Sequence, residues 1–380
     1  MRASSKRTAR YHSSSENASQ HWMRWRFSNL QQKQAQPEGS PSEFINRVTN
    51  NEFLIKKNIR MLKMELWNAA MQISPAFDEL NSRGQPRTRT CKKKVKYSVS
   101  DHLFITFFWL VHYPTDAVMA SIFNICSREL TKMIRRTLKS YRSTFQHLIQ
   151  WPSDVQFDQY LAKFGPRLPD ELKLAIYIID GTEIKITRPS TSKDETRVYS
   201  VKKKQHSVTF LAMCLPDGQL LYVSNAMIGA NDQSHWNGLN LRKKFLQKRY
   251  GIMGDSGFTF NRIRDTEKIK GFTPNKRPKG GSLNEPQKLL NKRLSQVRVI
   301  IENVFALTKK LRIIQGKYRH FSVLEHSTNA IDINDVVHTC FLFAQKKILC
   351  TPLRTGHWRP PSVDSMRISN ILGWLCGENK

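Results

Sequence analysis

The chain has 380 residues, ample for a large core, and its 62 Lys and Arg against 30 Asp and Glu leave a net charge of +32 spread along the length. That excess calls for a polyanionic partner, with nucleic acid ahead of an acidic membrane surface because no amphipathic anchor or lipidation motif accompanies it. No stretch reaches the ~18–20 continuous apolar residues of a membrane span, the polar N-terminus lacks the apolar region of a secretory signal, and six scattered cysteines without a CxxC pair exclude a disulfide framework or a zinc module.

The cysteines therefore read as reduced thiols of an intracellular protein. Residues 1–42 are rich in Ser, Gln, Arg and Asn and predict a disordered basic arm, in which His21 to Phe27 could dock onto something. Residues 43–96 form a helical segment and basic linker. Phe53, Leu54, Ile59, Leu62, Leu66 and Met71 lie near helical spacing, and the run from Arg87 to Lys96 fits a nuclear localisation signal, a phosphate-binding arm or a solvated loop.

From Tyr97 to about residue 150 three helices are expected: one capped by Ser100 and ended by Tyr113-Pro114, a short one capped by Thr115, and a third capped by Ser127 after the turn Asn124-Ile125-Cys126. In the third, Leu130, Ile134, Leu138 and Tyr141 make the inner stripe, and Arg128, Lys132, Arg135, Arg136 and Lys139 populate the rest. Two short helices, the second with a basic face, fit a helix-turn-helix that sets a recognition helix in the major groove; a plain helical bundle with a solvated basic side fits as well.

After a linker at 151–170 comes Leu174 to Ile186, LAIYIIDGTEIKI, in which the apolar run predicts a strand buried on both faces. Asp180 interrupts it, and Gly181-Thr182 read as an opening or a turn. A polar insert (188–199) separates it from two further strands, one ending at Cys214 and one over 219–227, joined by the turn Pro216-Asp217-Gly218. A helix is expected over 236–248. Then a short strand ends in Asp255, and a long helix runs over 283–311 with Leu294, Val297, Ile301, Val304 and Leu311 inward and Glu302 at the border of that stripe.

Asp180, Asp255 and Glu302 form the candidate constellation. Three gathered carboxylates repel one another, and in so basic a chain the economical reason for them is a shared site for Mg²⁺ or Mn²⁺, which take hard oxygen ligands. Two such ions ~3.5–4 Å apart serve phosphodiester chemistry. The order strand with Asp, meander, helix, strand with Asp, helix with Glu is that of an RNase H-like fold.

The blocks IIDGTEI, YSVKKKQHSVTFLAMC, LLYVSNAMIGANDQS, GDSGF and LNKRLSQVRVIIENVFALTKKLRII, in this order, resemble the DDE superfamily endonucleases, specifically PIF/Harbinger-type transposases, over roughly residues 97–345. The resemblance implies a helix-turn-helix module (97–150) preceding an RNase H-like α/β catalytic domain (151–350), a mixed sheet flanked by helices, with residues 351–380 as a tail. It also implies a nuclear transposase that cuts double-stranded DNA at element ends and joins the freed 3′-OH to a target. Asp180, Asp255 and Glu302 would hold two Mg²⁺ or Mn²⁺ ions, in a homo-oligomer working with a Myb-like DNA-binding partner.

The chain departs from the family pattern at Phe258-Thr259, where Tyr-Pro is usual, and at Asn231-Asp232, where His-Asp is often seen. Glu183, Asp232 and Asp265 rank below the three acids. Lys202, Lys203, Lys204 and His206 are expected beside Asp180 as phosphate contacts, and Arg298 either orients Glu302 or touches DNA. The alternative from another class is a domesticated, non-catalytic DNA-binding descendant.

Overall fold

A computed structural model describes residues 43–80, 97–164, 168, 172, 174–189, 192–200, 203–229, 232–239, 241, 244–245, 250–261, 269–320 and 331–353. The basic run Arg87–Lys96, Lys202, Asp265 and the arm at 1–42 lie outside the described residues. The chain divides into two units, Met1–Glu43 and Phe44–Lys380, and the second carries the helices and the sheet described below.

The first helical stretch is three helices instead of one: α1 (Glu43–Thr49), α2 (Glu52–Ile59) and α3 (Lys63–Glu79). Asn51 starts α2 afresh, its side chain accepting the Leu54 N–H at 3.1 Å, and Arg60 ends it in the left-handed region at φ 61°. Each break resets the helical phase. Phe53 and Met71, expected inward, are therefore 71% and 56% exposed, while Ile55, Ile59, Leu66, Ile73 and Phe77 are buried.

Helix α4 (Val99–His112) is buried continuously from His102 to Val111 and forms the axis of this layer. Its cap is Ser98, not Ser100, because Asp101 completes a reciprocal capping box with Ser98. Helices α5 (Asp116–Phe123) and α6 (Ser127–Phe145) follow around Asn124, left-handed at φ 51°. Thr115 caps α5 as expected, whereas Cys126 takes the cap position of α6. Leu130, Ile134, Leu138 and Tyr141 are all buried.

The segment read as a linker contains α7 (Asp154–Phe164), and β1 (Ala175–Lys185) runs through Asp180 and Gly181 without a turn. The antiparallel ladder to β3 (Gln205–Cys214) continues through both residues, after the parallel pairing of β1 with β6 (Gly251–Met253) has ended at Ile178. Helix α8 (Ser192–Val198) and β2 (Tyr199–Ser200) lie in the polar insert, while β4 (Leu220–Val223) and β5 (Met227–Ile228) pair with β3. Helix α9 (Asp232–Gly238) comes earlier than expected and stops at Gly238. Strand β7 (Gly271–Phe272) extends the sheet beyond β6, giving the order β2-β3-β1-β6-β7.

Helix α10 (Glu285–Thr308), capped by Asn284 and Gln287, lays Leu294, Val297, Ile301 and Val304 inward and packs on β1 and β3. The short α11 (Arg312–Gln315) and the long α12 (Ile333–Cys350) close the fold. Helix α12 packs on α6 and α10. Buried Gln345 ties it to the sheet, accepting the Leu220 N–H at 2.8 Å and donating to the Leu148 carbonyl at 2.9 Å.

Cys214 and Cys340 are buried free thiols, Cys126 is exposed and Cys350 is half-buried. Among the described residues no helix is long and apolar enough to cross a membrane.

Candidate active site

The parallel register pairs Ile178 of β1 with Met253 of β6. Asp180 and Asp255 each follow two residues after this last registered pair, and the charge of Asp255 acts on Asp180. Strand β1 continues beyond Asp180, opposite Ala212 of β3, whereas β6 stops at Met253. The chain then turns at Asp255, whose Oδ1 accepts the Gly257 N–H at 2.8 Å. Phe258 and Phe260 stack beneath this turn with ring centroids 5.5 Å apart.

The third acid here is Asp232, ranked low from sequence. A Cβ on Gly181 would lie inside the Asp232 carboxylate, 2.5 Å from its Cγ, so glycine follows Asp180 to admit Asp232, not to make a turn. Burial pushes the Asp180 carboxyl up to about 6. The Gly181 N–H and Arg298 pull against that shift, and the charges of Asp232 and Asp255 add to it. The Gly181 N–H donates to Asp180 Oδ1 at 2.8 Å, and an Arg298 guanidinium nitrogen lies 3.9 Å from Oδ2.

Arg298 is thus the α10 side chain that reaches Asp180, and its Nε is buried without a hydrogen-bond partner among the described residues. Glu302, one helical turn further, is exposed. Lys309 lies close enough for the charges of Asp180 and Glu183 to act on it, although burial first, and then Lys203, lower its pKa.

Of the basic residues expected beside Asp180, the described Lys203, Lys204 and His206 lie at or before the start of β3. Lys185 of β1 faces Ser207, so the start of β3 is five rungs from the Asp180–Ala212 pair, roughly 16 Å along the strand. Lys203 pairs with Glu183 at 3.3 Å, and Glu183 also accepts the Ser207 hydroxyl at 2.8 Å. Lys204 is exposed in the turn before β3, left-handed at φ 49°. His206 Nε2 lies 3.5 Å from Glu195, itself held by Arg188 at 2.8 Å.

On α6, Arg128 is exposed, Lys132 pairs with Glu129 at 2.7 Å, and Arg135 is half-buried. Arg136 is turned onto α3: its guanidinium lies 3.6 Å from the Phe77 ring centroid and donates to the Phe77 carbonyl.

Residues 179–344 match the family model described as DDE superfamily endonuclease, a span that includes Asp180, Asp232, Asp255 and Glu302. The chain is similar to the probable transposase for insertion sequence element IS702 of Microchaete diplosiphon, 26% identical over 155 residues that make up 40% of this chain and 52% of that protein. The chain thus spans about half the length of the curated relative it matches. No solved structure matches it. The mixed sheet flanked by helices is compatible with a DDE nuclease fold.

Enzymes of that class typically use divalent metal ions. The donors fit such an ion in kind: Asp180, Asp232 and Asp255 offer hard carboxylate oxygens, and their mutual repulsion at Asp180 is what a cation relieves. Among the described residues, no three His, Cys, Asp or Glu side chains are drawn together around one point as the structure stands.

Proposed function

We propose that the chain is a PIF/Harbinger-type DNA transposase, a metal-dependent endonuclease that cuts duplex DNA at transposon ends and transfers the 3′-OH to target DNA. The observation that carries this reading is that Asp180 and Asp255 follow the ends of the parallel β1–β6 register closely enough for their charges to interact, inside the segment that matches the DDE endonucleases. Supporting it, the strand order runs from an antiparallel meander through β1 to strands parallel with it, an order compatible with an RNase H-like sheet.

In this reading Asp180 and Asp255 hold Mg²⁺ or Mn²⁺, with Glu302 as the third donor. Asp232 stands beside Asp180 as a further acid. The ions, when bound, supply Lewis-acid stabilisation of the charge on the phosphate. Arg298 holds Asp180 in its rotamer and keeps cationic charge beside it. The face of α6 with Arg128 and Lys132 serves as the recognition surface of a helix-turn-helix. Nuclear action, self-assembly and a Myb-like partner belong to the same proposal.

A second reading, a domesticated DNA-binding protein without catalysis, is favoured by the exposure of Glu302, the third donor of the first reading. Cleavage of labelled duplex carrying the element's terminal sequence separates the two. With Mg²⁺ or Mn²⁺ the wild type should nick the DNA, and EDTA or Asp255→Ala should abolish nicking while DNA binding persists. Equal binding with no cleavage under any metal, even with a Myb-like protein added, selects the second reading.

A further inference from the structure

A basic cavity of about 590 Å³ opens where α2, α4, α10 and α11 end or begin, lined by Arg60, His112, Lys309, Lys310, Arg312 and Gln315 among others. Its lining holds four full cations and no carboxylate. Arg60, Lys309, Lys310 and Arg312 are exposed, and none of them makes an ion pair among the described residues. The C-terminal end of α10 offsets part of the repulsion at Lys309 and Lys310 through the helix dipole. Arg60 and Arg312 come from other elements and gain nothing from it. Arg60 moreover holds its backbone in the left-handed region, at φ 61°. The convergence also reaches the buried His112 ring, whose Nε2 has no hydrogen-bond partner among the described residues.

Helix α10 and the residues that follow it contribute to both the cavity and the acid site. Arg298, Glu302, Ala306 and Lys309–Lys310 follow at steps of three and four residues and so share one side of the helix. Arg298 touches Asp180 at one end of this line, while Ala306, Lys309 and Lys310 line the cavity at the other. Lys309 belongs to both, since it lines the cavity and feels the charge of Asp180.

We propose that this cavity is a DNA-contact site separate from α6, taking backbone phosphates of the strand whose cleaved phosphodiester lies at Asp180 and Asp255. The link to the cleaved strand rests on the transposase reading; the binding of phosphates does not.

The test is equilibrium binding of the full chain to labelled duplex DNA in EDTA, followed by fluorescence anisotropy over a range of salt. Neutralising two phosphate contacts in Lys310→Gln/Arg312→Gln should lower the slope of log K against log[salt] by about 2, at ~0.9 per phosphate, and weaken binding on the order of tenfold or more. Arg60→Asn, which tolerates the left-handed backbone, should lower it by about 1. Lys288→Gln, at the far end of α10 and paired with Glu285 at 2.7 Å, should leave it unchanged.

An unaltered slope in the double variant with an unaltered melting temperature overturns the proposal. So does a result in which inorganic phosphate alone raises the melting temperature of wild type but not of the double variant while the DNA slopes coincide, since the cavity would then be a small-anion site. Because EDTA prevents cleavage, these outcomes are independent of whether the Asp255→Ala experiment succeeds.

Discussion

Asp232 fills the space that a side chain at position 181 would need, so the two residues are coupled without sharing a strand. Gly181→Ala must push the Asp232 carboxylate aside or bend β1, at a cost of about 1–3 kcal/mol as in other overpacked sites. Asp232→Ala removes the obstructing carboxylate. In that background the same Gly181→Ala change should cost well under 1 kcal/mol, a coupling that a urea-denaturation double-mutant cycle measures directly. Equal costs in both backgrounds would mean that Asp232 does not occupy this space in solution.

Helix α12 is joined to the sheet in part through a buried amide. Gln345 is fully buried and satisfies the Leu220 N–H and the Leu148 carbonyl at once. Gln345→Leu keeps the volume and leaves both backbone groups buried without those partners, which should cost about 2–4 kcal/mol, seen as a lower urea midpoint with an unchanged slope. A loss below 1 kcal/mol would show that water replaces the amide. This helix was absent from the sequence reading for a physical reason: from Ile333 to Ile348 it is buried on most of its surface, so no single apolar stripe marks it. The equally buried α4 was legible through its ends, a Ser-rich start and Tyr113-Pro114. Strands β1 and β3 were legible because sheets covered on both faces leave continuous apolar runs, and β6 by its Gly-Ile-Met before Asp255. Asp-Gly in β1 misled as a turn because the antiparallel ladder to β3 runs straight through it and overrides a local signal. Asp232 opens a seven-residue helix with no apolar run to point at it. Nothing in the residue at Arg60 advertises the left-handed backbone that splits the first helical stretch.

At the scale of the whole molecule, burial sets how the fold responds to acid. Burial holds His102 down to about 3, with Arg136 adding to the effect. It holds His112 down to about 4, helped by Arg312, Arg60 and Lys57 and opposed by a hydrogen bond to the Asn58 backbone. His235 and His338 are likewise lowered to about 4 by burial, with Arg142 adding at His338. Unfolded histidines titrate near 6.5, so below that pH the unfolded chain binds more protons; the stability from keeping these rings neutral is complete above ~6.5 and drains away towards pH 4. Carboxyls oppose this. Asp180 and Asp217 are raised to about 6, chiefly by burial, so the folded state takes up their protons first and gains on acidification between about 6 and 4. With His320 also lowered and Asp335 also raised, mainly by burial, five lowered histidines outweigh three raised carboxyls among the described residues, and each new positive charge adds to a chain already at +32. The unfolding free energy should therefore fall by several kcal/mol between pH 7 and pH 5, measured by urea denaturation at both. His102→Gln, which keeps a neutral polar side chain at the site, should flatten that dependence by about one proton's worth, ~1.4 kcal/mol per pH unit. A dependence identical to wild type would mean that His102 is protonated in the folded protein and that its burial against Phe77 is incomplete in solution.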